Sequence, residues 1–332
     1  MENLLALAGQ NLLSPIILSF ALGLAAALGR SDLSVPEAAA KALSIYLLFA
    51  IGFKGGVSVS SHGLDARLGL SLVAGVLLSF VLPFIAYGLV RSLTRLSALD
   101  AAAVAGHYGS ISIVTFVAAS SVLQGSGIPG EGYMVAVAAA MEAPAILSAL
   151  WLASRSRKPQ PGAAADQHDG GLMREILLNG SIVLLVGSFF IGMITGQKGL
   201  SDIESFIVAP FKGVLCLFLL DMGLVAGRGL RAARGILSPG LVGFGVLMPL
   251  IGALAGLGTG AVLGLSTGGV VLMMTLCASA SYIAVPAAMR VALPEANPSV
   301  YLTVSLGITF PFNLTVGIPL YIAIATGLGI GG

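Results

Sequence analysis

Charge is what this chain has least of. Only 9% of its 332 residues are Asp, Glu, Lys or Arg, against about 25% in soluble domains. Hydrophobic residues make up 57%, and the mean hydropathy is +1.02. A soluble fold has nowhere to bury that much apolar surface, so lipid must be the solvent for most of it. A net charge of +2 leaves no basic surface for nucleic acid. Cysteine is scarce too. Cys216 and Cys277 each sit inside an apolar run, which reads as two small buried hydrophobes. There is no CxxC, HxxxH or HExxH spacing, so neither a metal site, an intramembrane zinc hydrolase nor a disulfide framework is expected. The N-terminus carries Glu2 and no Lys or Arg before its first apolar run. A secretory signal wants positive charge there, so that run is read as a retained helix.

Apolar runs and glycine are what the chain has instead, with 45 Gly in all. A membrane-crossing helix needs about 20 mostly apolar residues. Ten candidates appear, at about 11–29, 38–56, 68–90, 100–123, 132–153, 176–196, 206–227, 238–263, 268–290 and 299–328. The fold expected is therefore an all-α polytopic membrane protein. The longest polar stretch, 154–175, begins Ser154-Arg155-Ser156-Arg157-Lys158-Pro159 and divides the chain into 1–153 and 176–332. Orientation follows from Lys and Arg in the loops. With the N-terminus outside, eleven fall on inside loops: Arg30, Arg91, Arg95, Arg155, Arg157, Lys158, Arg174, Arg228, Arg231, Arg234 and Arg290. Three fall outside, at Lys54, Arg67 and Lys198. Both termini are expected outside, and the run Arg228–Arg234 reads as a topology anchor.

The two parts echo one another. Lys41, Gly52 and Gly56 recur as Lys212, Gly223 and Gly227 at one fixed offset. Gly109-Ser110-Ile111-Ser112 is echoed by Ala278-Ser279-Ala280-Ser281, and Pro129 and Pro144 by Pro294 and Pro311. Five helices per repeat is an odd number, so the second must enter the membrane upside down. Inverted repeats are typical of secondary transporters, which bind substrate near the midplane at interrupted helices.

Two segments invite interruption. The fourth contains Gly106-His107-Tyr108-Gly109-Ser110-Ile111-Ser112, and the ninth Cys277-Ala278-Ser279-Ala280-Ser281-Tyr282-Ile283-Ala284-Val285-Pro286. An opened helix in hydrocarbon must face protein or a wet cavity. Its second half begins with free N–H groups and a positive dipole end, which attract anions. Small-residue packing between helices is the other reading of the same residues. Ionisable residues inside spans are functional candidates by default. Glu142 and Asp221 could each be a cation ligand, a proton carrier, or half of a buried pair with Lys41, Lys54 or Lys212. His107 could touch substrate, carry protons, or be a hydrogen-bonded core His. Asn313, in Phe310-Pro311-Phe312-Asn313, is a further candidate for lining the pathway. His62 and His168 are placed in solvated loops. A Ser/His hydrolase is hinted at by His107 and Ser110, but both lie within one break and no separate base or oxyanion motif accompanies them.

At these residues the chain resembles the sodium-dependent bicarbonate transporter family. The resemblance is carried by Ala278-Ser279-Ala280-Ser281 through Pro286, then Pro294-Glu295-Ala296-Asn297-Pro298-Ser299-Val300-Tyr301. Ile51-Gly52 with Gly55-Gly56, and Met141-Glu142-Ala143-Pro144-Ala145, are similar to family patterns as well. The resemblance implies ten helices in two inverted repeats, broken fourth and ninth helices, a homotrimer, and symport of sodium with bicarbonate across the bacterial inner membrane. It implies no cofactor beyond the sodium ion. It places the anion between the two breaks, at Gly109, Ser110, Ile111, Ser112, Ser279, Ala280, Ser281 and Tyr282. Glu142, Asp221, His107 and Asn313 remain the ion-coupling candidates. Cyanobacterial members have an acidic residue where this chain has Tyr282, which puts both ion and anion in question. Their PII-like cytoplasmic regulator is not carried over, because the linker here is short. Bile-acid-type carriers also cross two broken helices, so an organic anion stays open as the cargo.

Overall fold

The computed structural model describes residues 13–62, 66–142, 144–156, 180–232, 237–282, 285–286, 289 and 293–330. Most of the linker, His168, Arg157, Lys158, Arg174, Arg234, Arg290, Ala143, Ile283 and Ala284 lie outside the described residues. The described residues contain helices and no strand. In chain order the helices are α1 (Pro15–Leu28), α2 (Glu37–His62), α3 (Ala66–Leu93), α4 (Ala98–His107), α5 (Ile113–Gly125), α6 (Met134–Ala140) and α7 (Pro144–Ser156). Then come α8 (Gly180–Ile207), α9 (Phe211–Ala232), α10 (Pro239–Val262), α11 (Thr267–Ala278) and α12 (Pro298–Gly327).

Among the described residues, seven segments are long and apolar enough to cross a membrane: α2, α3, α6 with α7, α8, α9, α10 and α12. α1, α5 and α11 are apolar but shorter. α3 turns Leu70, Val73, Leu77, Phe80 and Val81 outward, and α8 turns out Val183, Phe190, Ile191 and Ile194. Such faces suit lipid and would be insoluble in water.

The helices meet through glycine. α2 packs on α8 and α1 on α9, the two most extensive helix pairs. A Cβ on Gly52 would strike Ser188 and the Leu185 carbonyl, and one on Gly56 the Phe189 carbonyl. On the other pair, a Cβ on Gly23 would strike the Leu220 carbonyl, and one on Gly223 the Phe20 carbonyl. Close backbone approach of this kind is how helices associate without a hydrophobic drive between them.

Several expected boundaries move. α2 continues to His62, so that residue ends a helix and is not in a loop. α8 runs to Ile207, across a kink at Gly196 where φ is 60°. The fifth span, expected to be continuous over 132–153, stops at Ala140 and resumes at Pro144. Pro144 lacks an N–H and disfavours helical geometry in the residue before it. In α12, Pro311 is accommodated within a helix that widens into π turns over Thr303–Thr309 and Asn313–Gly317.

Candidate functional site

Both glycine- and serine-rich segments are interrupted. α4 ends at His107 and α5 begins at Ile113; α11 ends at Ala278, with Ser279, Ala280, Ser281 and Tyr282 non-helical after it. Each first half starts on a serine cap. Ser97 accepts from the Asp100 N–H at 3.0 Å, and Ser266 from the Gly269 N–H at 3.1 Å. Each second half also starts on a serine. The Ser112 hydroxyl accepts from the Thr115 N–H at 3.2 Å and the Thr115 hydroxyl at 2.9 Å. The Ser281 hydroxyl accepts from the Val285 N–H at 3.5 Å.

The two breaks touch. The Ser281 N–H donates to the His107 carbonyl at 2.8 Å. The Ser112 N–H donates to the Ser279 hydroxyl at 2.9 Å, and that hydroxyl donates to the Leu276 carbonyl at 2.9 Å. Helix ends that would be orphaned in hydrocarbon are thus joined to one another. Gly109 lies against Pro83 and the Ser79 carbonyl of α3, where a side chain would collide. Ser79 is four residues before Pro83, so its carbonyl is the one that Pro83 cannot serve.

α12 holds both breaks in place. The Asn313 amide donates to the Ala278 carbonyl at 2.9 Å and its oxygen accepts from the Tyr321 hydroxyl at 2.7 Å. Asn313 is therefore a latch on the end of α11, spent on structure on both its faces. The Thr309 hydroxyl donates to the Gly245 carbonyl at 2.7 Å. That carbonyl is four residues before Pro249 in α10 and would otherwise lose its partner. With its proton used, Thr309 accepts from the Tyr108 hydroxyl at 2.6 Å.

All eight residues proposed for anion contact, from Gly109 to Ser112 and from Ser279 to Tyr282, are buried at this junction. Not all their groups are free. The Ser112, Ser279 and Ser281 hydroxyls each hold backbone. Two hydroxyls remain: those of Ser110 and Tyr282 are buried and make no hydrogen bond. Tyr282 points toward Ser112, out of good hydrogen-bond geometry, and packs edge-on to Phe310 at 5.2 Å. The N–H groups of Ile113 and Val114, at the start of α5, also lack partners among the described residues. Unpartnered donors this deeply buried are rare and call for a ligand or water.

The ionisable candidates separate. His107 gives its Nδ1 proton to the Ala103 carbonyl at 2.6 Å, leaving Nε2 as an unpartnered acceptor, and its ring stacks on Tyr301 at 4.6 Å. Glu142 is buried in the gap between α6 and α7, with Oε2 unpartnered. The preceding residue, Met141, accepts the Ser79 hydroxyl at 2.6 Å through its carbonyl, so Glu142 lies beside the α3 residues that face Gly109. Asp221 is buried on α9 and feels Arg228 two turns along, but no contact brings it to the breaks. Lys41 and Lys212 are exposed, and Lys54 stands over the Phe211 ring at 4.0 Å. None of these lysines pairs with Glu142 or Asp221 among the described residues.

Two residues not singled out in the sequence tie the halves together. Glu131 accepts from the Ser266 N–H at 2.7 Å and from its hydroxyl at 3.0 Å. Asp100 accepts from the Asn297 N–H at 2.8 Å. For Asp100 the signal was available, since an acid three residues after a serine cap is an ordinary helix-start pattern; nothing local to Glu131 announces a partner 135 positions on.

Cavities approach the junction from both parts of the chain. One of about 200 Å³ is lined by α2, α5 and the start of α6. The other, of about 670 Å³, is lined by α9 and the start of α12, with Tyr282 and Pro286 among its walls. Residues 15–326 match the family described as the Na+-dependent bicarbonate transporter superfamily. The chain belongs to that superfamily. It is an integral membrane protein, as the apolar spans and the superfamily together require. A comparison with curated proteins returned no match.

Proposed function

We propose that this member of the superfamily is a sodium-coupled symporter for bicarbonate or a similarly small monoanion in the bacterial inner membrane. The observation that carries the reading is the joining of the two breaks through Ser281 to His107 and Ser112 to Ser279. Around that joint lie the free donors of Ser110, Tyr282, Ile113 and Val114. No Lys or Arg lies in either break. An anion there would rely on hydroxyls and on helix starts worth about half a charge each, which favours a compact, singly charged ligand.

The inverted repeat, 1–153 against 176–332, is part of the proposal. It is supported by the matched serine caps, Ser97 with Ser266 and Ser112 with Ser281, and by the exchanged packing in which α1 of one half meets α9 of the other while α8 meets α2. Placement of both termini outside rests on the Lys and Arg distribution. The homotrimer rests on family resemblance. We assign ion coupling to Glu142 before Asp221, because its unpartnered oxygen lies beside the α3 residues that border the first break. Bringing an anion in against an inside-negative potential costs about 2.3 kcal/mol per charge per 100 mV, which sodium entry would offset. A hydrolase gains no support, since His107 and Ser110 make no hydrogen bond to each other.

The test is uptake of labelled bicarbonate into proteoliposomes, with sodium exchanged for choline and with small carboxylates as competitors. Sodium-dependent bicarbonate uptake is expected, and Ala280→Phe should abolish it while leaving membrane insertion intact. Equal uptake in choline would remove sodium from the account. Carboxylate uptake that bicarbonate does not compete with would move the cargo to organic anions.

A further inference from the structure

The smaller cavity contains an arrangement that the breaks do not use. Lys54 projects into it from the middle of α2, stands over the face of Phe211, and pairs with no carboxylate among the described residues. Facing it from α5 are Ser120, Ser121 and Gln124, whose side chains make no hydrogen bond among the described residues. These groups are not needed to finish α5. The carbonyls of Val122, Leu123 and Gln124 are already taken by the N–H groups of Ser126, Gly127 and Ile128. The other charge in the lining, Glu131, is committed to the Ser266 cap of α11, where it faces the positive end of that helix. What remains is one ammonium, two hydroxyls and one amide, all able to donate, around about 200 Å³ of space. That volume holds a few atoms and some water, well below the usual size of a site for a drug-like molecule. The same α5 face continues to Phe116 and Val117, about 6–8 Å along the helix from Ser112 at 1.5 Å per residue.

We propose that this cavity is a second anion site, a loading site where a small oxyanion is held by Lys54, Ser120, Ser121 and Gln124 on its way to the breaks. The proposal rests on the reading of the chain as an anion carrier and adds a place where the anion waits. The amine sets the sign of the ligand, and the three neutral donors set its size. An ammonium without a carboxylate partner in a cleft attracts anions, so the site would matter most when the anion is dilute.

The experiment uses the full chain in proteoliposomes, with Cys216 and Cys277 replaced by Ser and with Val117→Cys, on the cavity wall, as a reporter. Anionic and cationic thiosulfonate reagents of equal size are compared for labelling rate. The anionic reagent is expected to be favoured. Lys54→Gln should lower that preference about tenfold, and Gln124→Glu, which keeps the lysine, should lower it too. Bicarbonate should slow anionic labelling in the parent and have no effect on Lys54→Gln. A preference unchanged by both variants would overturn the site, as would bicarbonate protection that persists without Lys54. The two readings fail differently. Absence of bicarbonate uptake with a Lys54-dependent labelling preference removes the cargo but keeps the site. Normal uptake with no such preference keeps the cargo and removes the site.

Discussion

The fifth and tenth spans each carry a proline in a matching part of their halves, and the two are handled in opposite ways. Before Pro144 the helix is interrupted, leaving a gap that holds Glu142 with an oxygen that has no partner among the described residues. At Pro311 the helix continues through π turns, and the two polar residues flanking it, Thr309 and Asn313, are both engaged in hydrogen bonds. Thr309 serves the Gly245 carbonyl and the Tyr108 hydroxyl, while Asn313 serves the Ala278 carbonyl and the Tyr321 hydroxyl. A satisfied polar network fixes one conformation, and an unsatisfied buried charge is costly unless something binds it. The tenth span is therefore the structural one, holding both breaks. The fifth is the one with a position left open, which suits an ion that comes and goes.

That contrast can be broken by measurement. The largest effect is expected for Glu142→Gln. Sodium-driven uptake should fall about a hundredfold, the scale of a charged hydrogen-bonding group worth about 1.5–3 kcal/mol, while thermal unfolding in detergent is unchanged or slightly raised. A marked loss of stability with sodium dependence intact would put Glu142 with the structural residues. Next is Asn313→Leu, which strands a carbonyl and a hydroxyl at about 1–3 kcal/mol each. Its unfolding midpoint should drop by several degrees. Uptake impaired at unchanged stability would instead make Asn313 part of the pathway. Thr309→Val also strands a carbonyl and a hydroxyl, those of Gly245 and Tyr108, but it keeps the side chain's shape, so its cost should sit at the low end, about 1 kcal/mol for each group; a midpoint equal to the parent's would mean that both groups find other partners. Pro144→Ala should be smallest, within about 1 kcal/mol. Hydrogen exchange across 140–146 would then report slower exchange if proline alone causes the gap.

Much of this was legible from residue types. Ten spans were expected from apolar length, and seven segments among the described residues are long enough to be such spans; the breaks follow from Gly109-Ser110 and Ser279-Ala280-Ser281. The gap at Pro144 was legible too, since the residue before a proline resists helix, yet the run around it is apolar enough to pass for one span. The roles of individual hydroxyls were not legible. Ser110 and Ser112 are two residues apart in one motif, but Ser112 caps α5 and Ser110 is left without a partner. Asn313 looked like a pathway residue because nothing local announces that its amide reaches a carbonyl 35 positions earlier in the chain.

The sequence by itself determined the solvent, the order of the spans and the places where helices must open. These depend on local quantities: apolar length, glycine and serine content, proline, and the serine caps. The tertiary structure alone decided which groups are spent and which are free. It joined Ser281 to His107, gave Thr309 the carbonyl released by Pro249, and left the hydroxyls of Ser110 and Tyr282, one oxygen of Glu142 and the Lys54 amine without hydrogen-bonded partners among the described residues. The reason is that a polar group buried from water is judged by its neighbours in space. In this chain some of those neighbours lie far along the same half, as Gly245 does for Thr309, and others in the opposite half, as His107 does for Ser281.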